Sequence, residues 1–156
     1  MRLRAVVMFT VGLVAVGAIV APANAISPQN QLDLSGRSFA VTVSYVDDAG
    51  VQHVFPNCYR FDANGDWFDK VLNVVLGNPD PPALGTWVQS LNGKDAPYSA
   101  VADLSRFGFG KVYQDGTVAQ AENGVLQLTA TTIAPKGLLG KGKKTLSAVG
   151  SEVPSC

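Results

Sequence analysis

The sequence is poor in the residues that build most active sites. It holds one histidine, His53, and two cysteines, and charged residues fill only 15% of its 156 positions. A single histidine excludes a multi-histidine metal centre, and neither a His-Glu-x-x-His helix nor a Gly-x-Ser-x-Gly elbow occurs. A serine or cysteine triad would have to recruit His53, and the sequence sets no nucleophile beside it. His53 therefore reads as a structural or surface residue of a strand, and the chain as a non-enzyme with no catalytic residue, cofactor or metal. An excess of one charge is missing as well. Twelve basic side chains balance 12 acidic ones, which argues against nucleic acid as a partner and against disorder driven by charge repulsion. No long helical pattern is evident. What the chain has in quantity is glycine, 16 residues, and proline, 9, the punctuation of a polypeptide rich in turns.

Part of the apolar content belongs to the first 25 residues. Arg2 and Arg4 precede an uncharged stretch from Ala5 to Ala21, followed by Ala23-Asn24-Ala25. A positive start, an apolar run and a small-residue cleavage site in that order predict a signal peptide over 1–25 with cleavage before Ile26, leaving no transmembrane segment. The alternative is an uncleaved anchor, which Gly12, Gly17 and Pro22 disfavour. Export to the periplasm or the medium places Cys58 and Cys156 in an oxidising compartment, where two thiols have one intramolecular pairing open to them. The expected disulfide closes a loop of about 100 residues and ties the C-terminal segment to the body, a constraint of up to roughly 4–5 kcal/mol in the chain-entropy picture.

Strand periodicity dominates the rest. Between Gly36 and Val46, Phe39, Val41, Val43 and Tyr45 share one parity while Ala40, Thr42 and Ser44 share the other, the pattern of a half-buried strand. Asp47-Asp48-Ala49-Gly50 supplies a turn, Val51 to Phe61 resumes strand character across Pro56, and Asp62 to Asp66 carries an Asn-Gly turn. From Trp67 to Leu76 two readings compete. Asp66 could cap a short helix ending at Gly77, but Val71, Val74 and Val75 favour a strand, which is the reading adopted. Asn78 to Pro82 is a rigid loop. Gly85 to Leu91 and Tyr98 to Leu104 flank an Asn92-Gly93 turn. Phe107 to Tyr113 and Thr117 to Ala121 flank Gln114-Asp115-Gly116, read as another hairpin turn, and Asn123-Gly124 precedes the alternating stretch Val125 to Ile133. The expected fold is all-β, an antiparallel meander of seven or eight strands over 26–135, closing into a small barrel in preference to a sandwich because closure removes exposed edges.

Residues 136–156 differ in composition. Lys136, Lys141, Lys143 and Lys144 face only Glu152 there, whereas acidic side chains predominate over 26–135. The segment reads as a solvated Gly/Lys-rich tail held by the disulfide, with the four lysines as candidates for an anionic partner. Two motifs fall short. Gly137 to Lys143 matches the glycine and lysine spacing of a phosphate loop, but Lys144 stands where Ser or Thr should bind magnesium, and no βαβ unit surrounds it. Asp62-x-Asn64-x-Asp66 opens like a calcium loop, but Trp67 and Asn73 occupy the places of the glycine and the bidentate glutamate.

The aromatic residues fall on the predicted strands. In a closed barrel their inward members either pack the core or line a cavity suited to a small apolar molecule, and Phe39, Tyr45, Phe61, Trp67, Trp87 and Tyr98 are the lining candidates. Hence the expectation of an exported binding protein holding a small hydrophobic ligand; the alternative is an envelope or secreted module that binds a protein or an anionic surface.

Leu34-x-Gly36, Phe61-x-x-Asn64-Gly65-x-Trp67 and Gly85-Thr86-Trp87 together resemble the bacterial lipocalin-like, calycin-type domains across about residues 32–133. The resemblance implies a small exported up-and-down barrel and either a hydrophobic-ligand pocket or a protein-inhibiting surface. Ser38-Phe39 stands where such domains carry a tryptophan, and no binding residue is carried over.

Overall fold

Side-chain alternation sets the first strand where the sequence places it. In β1 (Arg37–Val46) Phe39, Val41 and Val43 are buried while Ala40 and Thr42 face outward. The computed structural model describes residues 32–77, 83–90 and 95–156. The expected leader, the Ser27 to Gln31 lead, the Asn78 to Pro82 loop and the Asn92-Gly93 turn lie outside the described residues. Asp47 organises the first turn: its Oδ1 accepts from the amides of Ala49 and Val51 at 2.8 and 2.9 Å, and Gly50 takes the positive φ that reverses the chain. β2 (Gln52–Phe61) then pairs along all of β1, and the Asn64-Gly65 turn leads into β3 (Asp66–Asp69).

Three readings of the sequence need correction. Trp67 to Leu76 is a strand only for its first residues; the chain then forms α1 (Lys70–Val75), capped by Asp69, whose side chain accepts from the Leu72 amide. The cap outweighs the β-preference of the valines, and the cap is Asp69 rather than Asp66. Gln114-Asp115-Gly116 is no turn. It lies inside β6 (Lys111–Gln120), where Gly116 pairs with Tyr98 on one side and Ala130 on the other. Finally, the barrel does not end at residue 135, because the tail supplies β8 (Lys144–Val153). Leu146 and Ala148 point inward and Thr145, Ser147 and Val149 outward, so a strand is written there in small residues that composition alone disguised.

With β4 (Gly85–Gln89), β5 (Ala96–Asp103) and β7 (Leu126–Ala134) the eight antiparallel strands form a closed barrel in sequence order, β8 pairing back onto β1. The all-β meander and the barrel are as expected, and at this coarse level the architecture fits a lipocalin-like barrel. Cys58 and Cys156 are joined, a bond consistent with an exported chain. No helix among the described residues is long and apolar enough to cross a membrane.

The motifs of the resemblance meet at one end. Leu34 is fully buried, Phe61 packs edge-on to Trp87 at 5.3 Å and to Phe39 at 5.9 Å, and the Trp87 indole donates to the Asp62 carbonyl at 3.0 Å. Gly85 is required by its neighbour: a β-carbon there would stand 2.8 Å from the Trp67 ring and 2.7 Å from the Val101 carbonyl. This end of the barrel is plugged by aromatic packing.

Candidate functional site

Above the plug the interior narrows to small residues. Tyr98, Gly116, Ala130, Ala148 and Val43 occupy successive register positions around β5, β6, β7, β8 and β1. The single large side chain of this row, Tyr98, fills the space the others leave, and its hydroxyl donates to Gln114 Oε1 at 2.7 Å. Gln114 Nε2 donates in turn to Thr132 Oγ1 at 2.8 Å. The Tyr59 hydroxyl lies beside the same group, close enough to Gln114, Thr132 and Asn57 for their side chains to favour its ionised form. Asn57 Nδ2 donates to Asp69 Oδ1 at 2.8 Å, while its own Oδ1 receives the amides of Cys58 and Val71 at 2.7 and 3.0 Å. Polar groups from five strands and the start of α1 thus form a layer across the barrel, in two hydrogen-bonded sets, Tyr98-Gln114-Thr132 and Asn57-Asp69 with the first amides of α1, on either side of Tyr59.

Burial governs the electrostatics of this layer. Asp69 is pushed above the ordinary carboxylate range by loss of water, only partly offset by the hydrogen bonds from the Leu72 amide and Asn57 Nδ2 and by the nearby Val71 amide. Tyr59 is raised by burial and then by the Asp69 charge, and Tyr98 by burial and then by Tyr59. None of the ion pairs found among the described residues involves Asp69; they join Arg37 to Glu152, His53 to Asp47, Arg60 to Asp62 and Lys144 to Asp48.

Beyond the polar layer, at the end opposite the plug, lies a cavity of about 70 Å³. Tyr59, Asn57, Asp69 and Thr132 form its polar part. Its apolar walls come from Val43 and Phe55, from Val71, Leu72 and Val75 of α1, from Val112, Ala134 and Leu146, and from Leu138 and Leu139 of the β7–β8 loop. A second, wider depression of about 840 Å³ lies over β4 to β8 and is lined largely by small outward residues such as Ser99, Asp115, Thr129 and Ser147. Tyr98, Gly116, Ala130 and Ala148 lie beneath it.

The six aromatic lining candidates are all placed by the structure, and none borders the cavity. Phe39, Phe61 and Trp67 are buried in the packed interior; Tyr98, also buried, borders the wider depression over β4 to β8, Trp87 lies against Phe61, and Tyr45 stacks on His53 at 4.8 Å. Sequence reasoning missed Asn57, Asp69, Gln114 and Thr132. A signal existed, since Asn57 shares the parity of Phe55, Tyr59 and Phe61, and Thr132 that of Leu126 and Leu128: polar residues on the apolar side of a strand. His53 Nε2 meets Asp47 Oδ2 at 2.8 Å on a half-exposed hairpin end. Lys144 is engaged by Asp48, which also accepts the Lys141 amide at 2.6 Å; Lys136, Lys141 and Lys143 are exposed. The failed calcium loop is a hairpin turn in which Asp62 pairs with Arg60 and Asn64 donates to Asp66, and no group of three metal-ligating side chains occurs among the described residues.

Comparison with protein-family models, with curated proteins and with solved structures finds no match to this chain.

Proposed function

We propose that this is an exported, non-enzymatic binding protein of lipocalin-like type. Its barrel holds a small molecule with a polar head and an apolar body in the cavity between α1 and the β7–β8 loop. The observation that carries this reading is the two-sided lining of the cavity, with a hydrogen-bonding floor of Asn57, Tyr59, Asp69 and Thr132 beneath a rim of Phe55, Val75, Leu138 and Leu139. Ligand sites take this form because apolar walls supply affinity while a few convergent polar groups fix orientation. Size limits the occupant. Drug-sized ligands need roughly 300–1,000 Å³, so at about 70 Å³ the enclosed portion of the ligand is a head and a short stem, any longer chain emerging past the leucines.

The test is native mass spectrometry of purified protein, followed by thermal-shift titration with short amphiphiles on the wild type and on Ala134→Leu, which grows a side chain into the cavity. A retained small molecule, or a stabilising amphiphile, that the filled variant loses is the expected result. Equal response of the two proteins, or no species bound to either, would sink the reading.

A further inference from the structure

We propose that the head group recognised at Asp69 is an ammonium ion, so that the cavity is a site for a small primary alkylamine. This rests on the cavity being a ligand site and adds the chemical class of ligand. Among the described residues, Asp69 is the sole acidic residue lining the cavity, and neither Lys, Arg nor His lines it. Hydrogen bonds from Asn57 Nδ2 and the Leu72 amide converge on one oxygen, Oδ1, at 2.8 and 2.9 Å. A buried carboxylate supplied with dipoles but no counter-charge is costly, and a cation brought to it gains a charge-assisted hydrogen bond in a medium that screens little.

The surroundings suit the three donors of an ammonium. Oδ2 of Asp69, the Tyr59 hydroxyl and Thr132 Oγ1 all belong to residues at the cavity's polar floor, and all three can accept. An anionic head such as a fatty-acid carboxylate would meet Asp69 with no basic side chain in the lining to receive it. A neutral hydroxyl could bond to the floor but would leave the carboxyl without compensation. The alkyl stem then runs toward Val75, Leu138 and Leu139.

The proposal is tested with three probes of equal chain length, n-butylammonium, n-butanol and butyrate, titrated into the full-length mature protein at neutral pH and followed by amide NMR and calorimetry. The expected result is butylammonium binding about tenfold or more tighter than butanol, a ratio typical of a hydrogen bond to a charged group, with amide shifts at Val71, Leu72 and Thr132. In Asp69→Asn, which keeps a capping side chain, amine affinity falls to the level of the alcohol while butanol binding persists. Butanol or butyrate binding as tightly as the amine overturns the ammonium assignment and leaves the cavity as a ligand site, as does an Asp69→Asn variant that binds amine like the wild type. Silence from all three probes overturns both. Should Asp69→Asn fail to fold, the wild-type ranking of amine, alcohol and acid decides alone.

Discussion

Tyr98 lies directly over Gly116: a β-carbon on the glycine would stand 2.6 Å from the ring and from the hydroxyl oxygen. The two residues are cross-strand partners in β5 and β6, so the absence of a side chain at one is the room occupied by the other. The glycine serves space here, since its φ is not positive.

Gly116→Ala should therefore destabilise the protein by about 1–3 kcal/mol, the usual cost of forcing an extra carbon into a packed interior. Gly142 has open space about it and no positive φ, so Gly142→Ala should leave stability nearly unchanged. Chemical denaturation of the two variants checks both, and equal midpoints would contradict the packing account.

Asp69 predicts a particular pH dependence. Its folded-state pKa is raised from the ordinary 3.8, so the folded state binds the proton more tightly than the unfolded chain. Below about pH 4 both states are protonated and the group costs nothing; as pH rises through the unfolded value the unfolded chain ionises first, and stability from this site falls until the folded value is passed. Asp33, Asp47, Asp48 and Asp103 are lowered and act in the opposite sense, contributing stability that is lost as pH falls. The difference between wild type and Asp69→Asn isolates the buried group: the variant should gain on the wild type as pH climbs from about 4. Parallel stability curves would show that Asp69 titrates normally.

Asn73 is wholly buried, and neither atom of its amide has a hydrogen-bond partner among the described residues. Leucine has nearly the same shape without the desolvation penalty, so Asn73→Leu should raise stability by about 1–3 kcal/mol. A loss of stability in the same unfolding measurement would mean that the amide is satisfied in solution.

The Cys58–Cys156 bond closes a span of 98 residues. Removing it as Cys58→Ser with Cys156→Ser should lower stability by up to about 4–5 kcal/mol. Reduction of the wild type should reproduce the loss, and an unchanged denaturation midpoint in both would show that the bond adds no constraint.

The parts of the fold that could be read from the sequence are those fixed locally. The parity of Phe39, Val41 and Val43 and the positive φ of Gly50, Gly65 and Gly124 each depend on a few neighbouring residues, and the strands and turns they mark are found in place. Asp115-Gly116 was misleading because the reason for its glycine is a ring on another strand, which no local signal reports. The valines of α1 favour a strand by intrinsic preference, yet one carboxylate cap and the burial of Leu72 settle the matter. β8 is obscured because its inward residues include Ala148 and Gly150, small enough to look like a linker; a β-carbon at Gly150 would collide with the Ala40 carbonyl of β1. The cavity was the least legible feature. Its walls come from seven elements and a loop, and only closure of the barrel brings Asn57, Asp69 and Thr132 to one place.

The seam between β1 and β8 sets the order in which this molecule can be assembled. Ser38 pairs with Val153, so the contact that completes the barrel spans nearly all of the described chain, and its loop-closure entropy must be met before that contact repays any of it. Until then β1 and β8 each have one unpaired edge, from Ser38 to Ser44 and from Ser147 to Val153. Folding should accordingly be slow for a domain of this size, with a late step that zips the first strand to the last. Cys58 and Cys156 meet only near that seam, which makes the disulfide a lock turned after the barrel has closed rather than a guide to its closing.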